Sequence, residues 1–516
     1  MVNIKIEGVS YQVEEGLTIL EAAKACGYEI PSLCAFNHGE CSNGSCRVCL
    51  VEVKGARGLV ASCVYPVNEG MEIIISSPKA TEARRASVEL LLSNHNINCQ
   101  QCDKNGKCEL LHVAAVTGAR EGRYQGSKTP VTVDQLTPAI IRDTSKCILC
   151  GRCVARCQNA HGMGILGFEN RGFNTIVAPA ENRSFLNSPC IQCGQCVSVC
   201  PTGALMEKSE IAGVDAAFKA GKHVVVQTAP AVRAALGEEF GMPVGTPVTG
   251  KMVAALKRLG FHKVYDTNFA ADLTIMEEGT ELLGRIQNGG VLPMITSCSP
   301  GWISYAEYNY GDLLGHLSSC KSPHQMQGAI LKSYYAEKKG IDPKDIFVVS
   351  IMPCTAKKDE KERDQLQVSG LKDVDAVLTT RELAKMIKRA GILFTRLPDE
   401  DFDQDLMGDY TGAGVIFGVT GGVMEAALRT VYFVLTGKEH EAITFEAVRG
   451  FEGIREASLD INGQRIYVAI AHGMKNAKVL LDQIRKLYDE YLGEPNSHKA
   501  HELLHTAYKA RIGFND

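Results

Sequence analysis

The amino-terminal residues alternate apolar and polar positions in short runs, which is the pattern of half-buried β-strands. The period lengthens to that of a helix over residues 18–26, and again over the stretch PKATEARRASVELLLSNH, which ends at His95. The pattern therefore predicts a small sheet with one helix, followed by a longer helix. The predicted strands are 2–6 and 11–14, which form a hairpin, then 47–53 and 71–75.

The pattern changes from about residue 209 onward. Short apolar runs alternate there with helical stretches, which is typical of an α/β domain. The predicted strands of this part are 223–227, 291–295, 346–351 and 466–470.

Length and composition limit the class of protein. A chain of 516 residues is longer than a domain with a single hydrophobic core usually is, so we expect several domains. The net charge of -4 offers no basic surface for nucleic acid. No apolar run approaches the roughly 20 residues of a membrane helix, and the first residues lack a signal-peptide pattern. We therefore expect a cytoplasmic protein that binds neither nucleic acid nor membrane.

The chain has 20 cysteines, and in a protein of this length without a signal peptide they favour metal ligation over disulfides. A first set combines a glycine-containing loop with one more distant residue, which suits a [2Fe-2S] cluster in a ferredoxin-like β-grasp fold. Cys41 breaks the loop spacing and Cys26 falls on an apolar helix face, so both are expected to bind no metal. The predicted ligands are Cys34, Cys46, Cys49 and Cys63.

A second set lies directly after the long helix and combines one imidazole with three thiolates. Zinc is an alternative for this set, since three cysteines and one histidine also form structural zinc sites. The cysteine runs that follow in the chain favour a histidine-ligated [4Fe-4S] cluster instead. The predicted ligands are His95, Cys99, Cys102 and Cys108.

Two further runs repeat the spacing C-x2-C-x2-C-x3-C, and a proline follows the second run. This is the pattern of two-cluster bacterial ferredoxins, in which the fourth cysteine of each run binds the other cluster. The chain is thus predicted to hold one [2Fe-2S] and three [4Fe-4S] clusters. The last two are assigned to Cys147, Cys150, Cys153 and Cys200, and to Cys190, Cys193, Cys196 and Cys157.

These sets predict a multidomain protein of the α+β and α/β classes. The predicted domains are a [2Fe-2S] ferredoxin-like domain at 1–79, a histidine-ligated [4Fe-4S] domain at 80–125, a two-cluster ferredoxin domain at 126–208 and an α/β domain at 209–516. Glycine-rich stretches at 237–245 and 418–423 do not fit G-x-G-x-x-G between a strand and a helix. No nucleotide or flavin site is therefore expected in this chain.

The order of these sets, with five motifs of the α/β domain, resembles the large multi-cluster [FeFe]-hydrogenases of the bifurcating, NAD-linked type. The first three sets are also similar to the iron–sulfur subunit of respiratory complex I. The resemblance covers nearly the whole chain and implies a hydrogenase-like α/β domain. The motifs are QTAPAVRAALGEEFG at 227–241, TIMEEGTEL at 274–282, ITSCSPGW at 295–302, IMPCTAKKDE at 351–360 and FGVTGGVMEAALR at 417–429.

The resemblance implies a catalytic site, the H-cluster, in which four cysteines hold a cubane joined to a diiron centre with CO and cyanide ligands. Cys354 matches a ligand and Cys298 matches a proton-transfer cysteine, but Ser299 stands where the family has a ligand cysteine. A serine oxygen is a harder donor than a thiolate. The family's third motif, E-x-M-x-C-P-G-G-C, has no counterpart between IYVAIAHG and the tail LYDEYLGEPNSHKAHELLHTAYKAR. We therefore expect a vestigial site without an H-cluster.

Several other positions of the family's site are retained. The resemblance assigns cyanide binding to Lys357 and proton transfer to Glu278 and Glu281, and it places Ala229 and Pro230 in the pocket. These residues are either packing remnants, which we favour, or parts of a rebuilt hydrogenase site. Cys320 is interpreted as a small buried side chain, and the tail histidines, His498, His501 and His505, as structural.

The predicted function is that of an iron–sulfur electron relay within a multi-subunit, NAD-linked, electron-bifurcating hydrogenase or related complex. The resemblance implies a flavin-containing, NADH-oxidising subunit, a small [2Fe-2S] subunit and ferredoxin as partners, with a separate [NiFe]-hydrogenase module as a further candidate. An [FeFe]-hydrogenase with a rebuilt active site and a redox or hydrogen sensor are the alternatives.

Overall fold

A computed structural model describes residues 1–36, 40–368, 370–439, 443–448, 453–461 and 464–487. The chain divides into two compact units, of which the first comprises 1–190 with 194–208 and the second comprises 191–193 with the residues from Ser209 onward. Within the described ranges, none of the helices is both long enough and apolar enough to cross a lipid bilayer.

The first unit begins with a five-stranded sheet in the order β2-β1-β5-β3-β4. Strand β1 lies antiparallel to β2 and parallel to β5, and its apolar side chains Val2, Ile4 and Ile6 are buried while the residues between them are exposed. This is the predicted alternation. The strands are β1 (Val2–Ile6), β2 (Val9–Val13), β3 (Leu50–Val53), β4 (Val60–Ala61) and β5 (Met71–Ile74).

Helices of the first unit begin at side-chain caps where the sequence offers them. Thr18 and Glu21 form a capping box at the first helix, and Ser77 accepts a hydrogen bond from the amide of Ala80 at the second. The second helix ends at Asn94, with His95 as its C-cap, as predicted. The helices are α1 (Ile19–Ala25), α2 (Pro78–Asn94), α3 (Glu109–Thr117), α4 (Arg152–Ala155) and α5 (Gln195–Val199).

The remainder of the first unit consists of short strands around cysteine-bearing loops. A three-stranded sheet has the order β10-β7-β6, and β8 pairs with β9. In the sequence, the first predicted C-x2-C-x2-C run lies between β7 and β8 and the second lies between β9 and β10. The strands are β6 (Val133–Asp134), β7 (Ile140–Asp143), β8 (Gly167–Glu169), β9 (Ile176–Ala178) and β10 (Leu205–Glu207).

The second unit is built on a parallel four-stranded sheet in the order β12-β11-β13-β16. Its strands are buried on both faces, which is why they read as continuous apolar runs. Loops at the carboxyl ends of such strands commonly form the functional site. The strands of the second unit are β11 (His223–Thr228), β12 (Lys263–Asp266), β13 (Ile346–Met352), β14 (Gln367–Val368), β15 (Leu371–Lys372), β16 (Ala376–Thr379), β17 (Glu446–Ala447), β18 (Ile454–Ile461) and β19 (Gln464–Ala471).

Helices surround this sheet. The longest, α9, packs against α11, α15 and α16, and the antiparallel strands β17, β18 and β19 form a separate small sheet. The helices of the second unit are α6 (Ile211–Lys219), α7 (Val232–Ala235), α8 (Thr249–Arg258), α9 (Asn268–Asn288), α10 (Pro300–Asn309), α11 (Pro323–Ile330), α12 (Ala336–Lys339), α13 (Ala356–Glu360), α14 (Thr380–Arg389), α15 (Gly412–Ile416), α16 (Gly422–Thr436) and α17 (Met474–Leu487).

One predicted strand is wrong. Residues 291–295 form a loop in which only Ile295 makes a bridge, to Leu317. Pro293 has no amide hydrogen for a sheet, and the carbonyl of Val291 accepts a hydrogen bond from Arg285 instead. The predicted strands at 223–227, 346–351 and 466–470 correspond to β11, β13 and β19. The tail histidines lie outside the described residues.

Candidate iron–sulfur centres and the second-unit site

The four cysteines of the first predicted set lie together in the core of the first unit. All are buried, and they belong to one apolar cluster with side chains of the five-stranded sheet. Hydrogen bonds from the thiols of Cys46 and Cys63 lower the pKa of Cys34, and a hydrogen bond from Cys63 lowers that of Cys49. Four thiols in mutual contact, two of them favouring the thiolate, are a donor set that fits an iron–sulfur cluster.

Cys41 is buried beside this set but points to another loop. Its Sγ lies 3.8 Å from the carbonyl oxygen of Cys150. The neighbouring Asn43 Nδ2 donates to the same oxygen at 3.1 Å. Cys26 is half-buried against the same apolar cluster.

The second predicted set lies at the end of α2 and the start of α3. His95 is buried, and burial lowers its pKa to about 4, so the imidazole is neutral at physiological pH. Its Nδ1 is buried and has no hydrogen-bond partner among the described residues. Burial also raises the pKa of Cys108, and the nearby Cys102 and Cys99 add to this effect. A neutral histidine with a buried free nitrogen, and three thiols close to it in the sequence, are the donor types of a metal centre.

A cavity in the first unit is lined by all four cysteines of the third predicted set. Cys147 and Cys150 belong to the loop that precedes α4, and Cys153 lies in α4. Cys200 is the C-cap of α5. Burial raises the pKa of Cys147 to about 11, and it raises those of Cys150 and Cys153 as well. The amide of Leu149 donates to Cys147 Sγ at 3.4 Å. The fourth cysteine of the run 190–200 thus meets three cysteines of the other run, which is the crossed arrangement that the spacing predicts.

The fourth predicted set has the same local backbone as the third. In the first run Leu149 and Gly151 have positive φ angles of 52° and 78°, and in the second run Gln192 and Gly194 have 54° and 74°. A left-handed residue that is not glycine is uncommon, so its recurrence at the same position indicates an internal repeat. Cys190, Cys193 and Cys157 are half-buried and Cys196 is buried.

The second-unit site lies at the carboxyl ends of β11 and β13. The chain leaves β11 at Ala229, whose amide donates to the carbonyl of Ile351 at 3.0 Å. Cys354 follows β13, and burial raises the pKa of its thiol. Burial raises the pKa of Cys298 to about 12, and the nearby Glu278 adds to the effect. Ser299 is the N-cap of α10 and is exposed.

Lys357 joins the two cysteine loops of this site. Its Nζ donates to the carbonyl oxygen of Cys298 at 2.9 Å and forms an ion pair with Glu360 at 2.8 Å. Glu360 also contacts His324 Nε2 at 2.7 Å. Burial opposes the charged form of Glu360, but Lys357 and His324 outweigh it and lower the pKa of this carboxyl to about 2. The sequence patterns did not single out His324 or Glu360, since the signal is a contact between α11 and α13.

Two glutamates on α9 have opposite environments. Glu281 accepts from Ser318 Oγ at 2.8 Å and pairs with Arg285 at 2.6 Å, and these contacts outweigh burial and lower its pKa. Glu278 is 1% exposed, and contacts with the amide of Ser297 and the hydroxyl of Ser318 favour its carboxylate without offsetting the effect of burial. Burial raises its pKa to about 7. Cys320, which was interpreted as a small buried side chain, is half-buried, and its Sγ lies 3.8 Å from Glu281 Oε2.

Taken together, the fold and the cysteine sites define an iron–sulfur protein with ferredoxin-like domains ahead of a mixed α/β domain. Residues 1–78 match a 2Fe-2S iron-sulfur cluster binding domain, 84–123 the NADH-ubiquinone oxidoreductase-G iron-sulfur binding region, and 139–201 a 4Fe-4S dicluster domain. Residues 222–492, more than half of the chain, match the iron only hydrogenase large subunit, C-terminal domain, and 482–511 match the iron hydrogenase small subunit. The chain belongs to the iron-only, or [FeFe], hydrogenase large-subunit family.

Two relatives align with this chain over nearly its whole length. The NADP-reducing hydrogenase subunit HndD of Solidesulfovibrio fructosivorans is 44% identical over 581 residues, which cover 99% of either chain. Iron hydrogenase 1 of Clostridium pasteurianum is 40% identical and covers 99% of this chain and 100% of its own. A variant of the [FeFe]-hydrogenase HydA1 from Chlamydomonas reinhardtii is a similar solved structure, with 37% identity, a TM-score of 0.49, and coverage of 58% of this chain and 98% of its own. The first two relatives confirm the resemblance to [FeFe]-hydrogenase large subunits.

Proposed function

We propose that this chain is an iron–sulfur electron-relay subunit of a multi-subunit, NAD(P)-linked hydrogenase or related oxidoreductase complex, and that it has no H-cluster of its own. The observation that supports the electron-relay function is the cavity lined by Cys147, Cys150, Cys153 and Cys200. Bound clusters would supply one-electron transfer. The protein's part is to hold them with buried thiols and to shield them from solvent.

The second-unit site supports the proposal that this chain has no H-cluster of its own. A cubane needs four protein donors, but the chain from residue 209 onward has only three cysteines, Cys298, Cys320 and Cys354. Cys320 lies against Glu281, and Ser299 is exposed. No cysteine follows Cys354 in the sequence. The alignment with the NADP-reducing hydrogenase subunit spans 581 positions, more than the 516 residues of this chain, so that relative has residues that this chain lacks. The donors present therefore do not fit an H-cluster.

The proposed partners follow from the family. The similarity to a subunit named NADP-reducing hydrogenase supports a flavin-containing subunit that oxidises NADH or NADPH, and we add a small [2Fe-2S] subunit and ferredoxin as further electron carriers. Hydrogen would then react elsewhere, with a [NiFe]-hydrogenase module as a candidate. The many free thiols favour a reducing compartment such as the cytoplasm. We also propose that the domains end near residues 79, 125 and 208.

A hydrogen assay on the reconstituted chain tests this function. The chain is loaded with iron and sulfide, treated with a synthetic diiron CO and cyanide complex, and compared with Iron hydrogenase 1 of Clostridium pasteurianum prepared in the same way. We expect clusters that dithionite reduces and ferredoxin reoxidises, with no hydrogen evolution from reduced methyl viologen. Hydrogen evolution comparable to that of the control enzyme would contradict the proposal.

One observation favours a second candidate function, a hydrogenase with a rebuilt site. Lys357, Cys298 and the buried Glu278 still lie together, as cyanide binding and proton transfer would require. This candidate predicts hydrogen evolution that is lost in Cys354→Ala. The relay predicts none in either protein.

A further inference from the structure

The turn after Cys200 separates two of the proposed clusters. Pro201, Thr202 and Ala204 line the cavity of Cys147, Cys150, Cys153 and Cys200. Gly203, on the same turn, faces the histidine-containing set instead. A Cβ atom on Gly203 would lie 2.7 Å from Cys102 Sγ and 3.3 Å from Lys146 Cδ. The turn at residues 201–204 therefore forms the wall between the two sets, and Cys102 packs directly against this wall.

A second contact holds the same two loops together. Arg152, which precedes Cys153, pairs with Glu109, which follows Cys108, and both carboxylate oxygens lie 2.9 Å from Arg152 Nη1. The arginine is 4% exposed, whereas the glutamate is 46% exposed. The amide of Glu109 also donates to the carbonyl of Pro201 at 2.9 Å. Backbone and side chain thus fix the start of α3 against the cavity wall.

Resting on the proposed cluster ligation, we propose that Gly203 and Glu109 are positioning residues that set the separation between the histidine-ligated cluster and the Cys147–Cys200 cluster. The physical reason is steric. Only a residue without a Cβ lets Cys102 approach the wall this closely, because a Cβ atom essentially never lies within 3.0 Å of a heavy atom to which it is not bonded. Electron transfer slows steeply with distance, so the absence of this side chain makes the step between the two clusters fast. Neither residue binds iron.

The test is electron paramagnetic resonance of the full chain after iron–sulfur loading and dithionite reduction. Two neighbouring reduced clusters split and broaden each other's signals. We expect wild type to show this interaction and Gly203→Ala to show it weakened, with unchanged iron content. The matched control is Gly167→Ala, since Gly167 lies in the same unit, has no positive φ, and has open space around its Cβ position. A wild-type interaction in Gly203→Ala, an equal weakening in Gly167→Ala, or no interaction in fully loaded wild type would overturn the proposal.

A second variant decides the matter if Gly203→Ala loses one cluster. Glu109→Ala removes the ion pair without entering the wall, so we expect both clusters to be retained with a weakened interaction. Glu109→Gln keeps an acceptor for Arg152 and should restore most of the interaction, whereas the exposed Glu121→Ala should resemble wild type. An unchanged signal in Glu109→Ala would contradict the positioning role. Wild type without clusters, or with hydrogen evolution, would instead refute the proposed function, so the two failures are distinguishable.

Discussion

The cavity of the first unit and the site at the sheet ends of the second unit are both built around cysteines, but they differ in what surrounds the sulfur. Four thiols line the cavity around Cys153, where burial and the neighbouring cysteines raise the thiol pKa. The second site has two thiols beside Lys357, a buried carboxylate at Glu278 and a charged pair between Lys357 and Glu360. One site brings four thiols together, whereas the other combines thiols with a buried carboxyl group and an ion pair.

The sequence motifs contain both residues that pack the core and residues that bind metal. The comparison of the two sites separates these two roles. A polar framework that is bonded into the core persists for packing reasons, since removing one partner of a buried pair is costly. Glu360 illustrates this, because its contacts to Lys357 and His324 tie α13 to α11. Metal ligands have no such reason to persist, and they determine whether chemistry is available.

The largest expected effect is on iron content. Cys150→Ser should remove one cluster, which is about 4 iron atoms per chain, because the cavity then lacks one of its four thiols. Cys354→Ser should leave the iron content unchanged. Colorimetric iron analysis of the two purified variants gives the comparison, and an equal loss in Cys354→Ser would mean that the second site also holds iron.

A smaller effect is expected on the stability of the loop around Gly151, which lines the cavity. Gly151→Ala introduces a side chain at a φ of 78° and a Cβ atom 2.7 Å from Asn43 Nδ2. The matched variant Gly172→Ala has a φ of 60° and open space, so it isolates the cost of the left-handed backbone, about 1 kcal/mol. We expect Gly151→Ala to lower the unfolding midpoint of the first unit more than Gly172→Ala in thermal denaturation. Equal midpoints would show that Asn43 does not pack on this loop as described.

A third prediction concerns Glu278 and pH. Its pKa is raised from 4.5 to about 7, so the folded state holds the proton more tightly, and the stability that this provides is lost as pH rises from 4.5 through 7. Between pH 6 and pH 8 the second unit should lose about 1 kcal/mol of stability, and Glu278→Gln should not show this loss. Hydrogen exchange of the α9 amides, corrected for the intrinsic pH dependence, measures it. The same slope in both proteins would mean that Glu278 is ionised throughout.

The smallest expected effect comes from restoring one sulfur. Ser299→Cys adds a thiol at an exposed position, but the site would still have fewer than the four cubane ligands that the family's H-cluster requires. We expect no hydrogen evolution and no CO or cyanide infrared bands after treatment with the diiron complex. Bands in Ser299→Cys that are absent from wild type would show that only this ligand was missing.

Local patterns predicted the parts of the fold that depend on short-range periodicity. The helix at Pro78–Asn94 follows from helical spacing, and strands β1, β11 and β13 follow from alternation and apolar runs. Cysteine spacing also predicted that Cys200 meets the other run, because a repeated motif implies crossed pairing. The loop at 291–295 was missed because an apolar run was given more weight than the proline within it.

The second-unit site was less predictable for a physical reason. His324 and Glu360 are distant in sequence, and their contact depends on how α11 and α13 pack beside β13. The raised pKa of Glu278 likewise results from burial of α9, which no local motif encodes. The motifs indicated which residues belong to this region, whereas the packing determines their charge states.

Iron content combined with infrared spectroscopy tests the central claim most directly. The chain is loaded with iron and sulfide, treated with the diiron CO and cyanide complex, and freed of unbound metal. The relay predicts about 14 iron atoms per chain, from one [2Fe-2S] and three [4Fe-4S] clusters, and no CO or cyanide bands. A value near 20 iron atoms with those bands present would show that a catalytic iron site exists and would contradict the account.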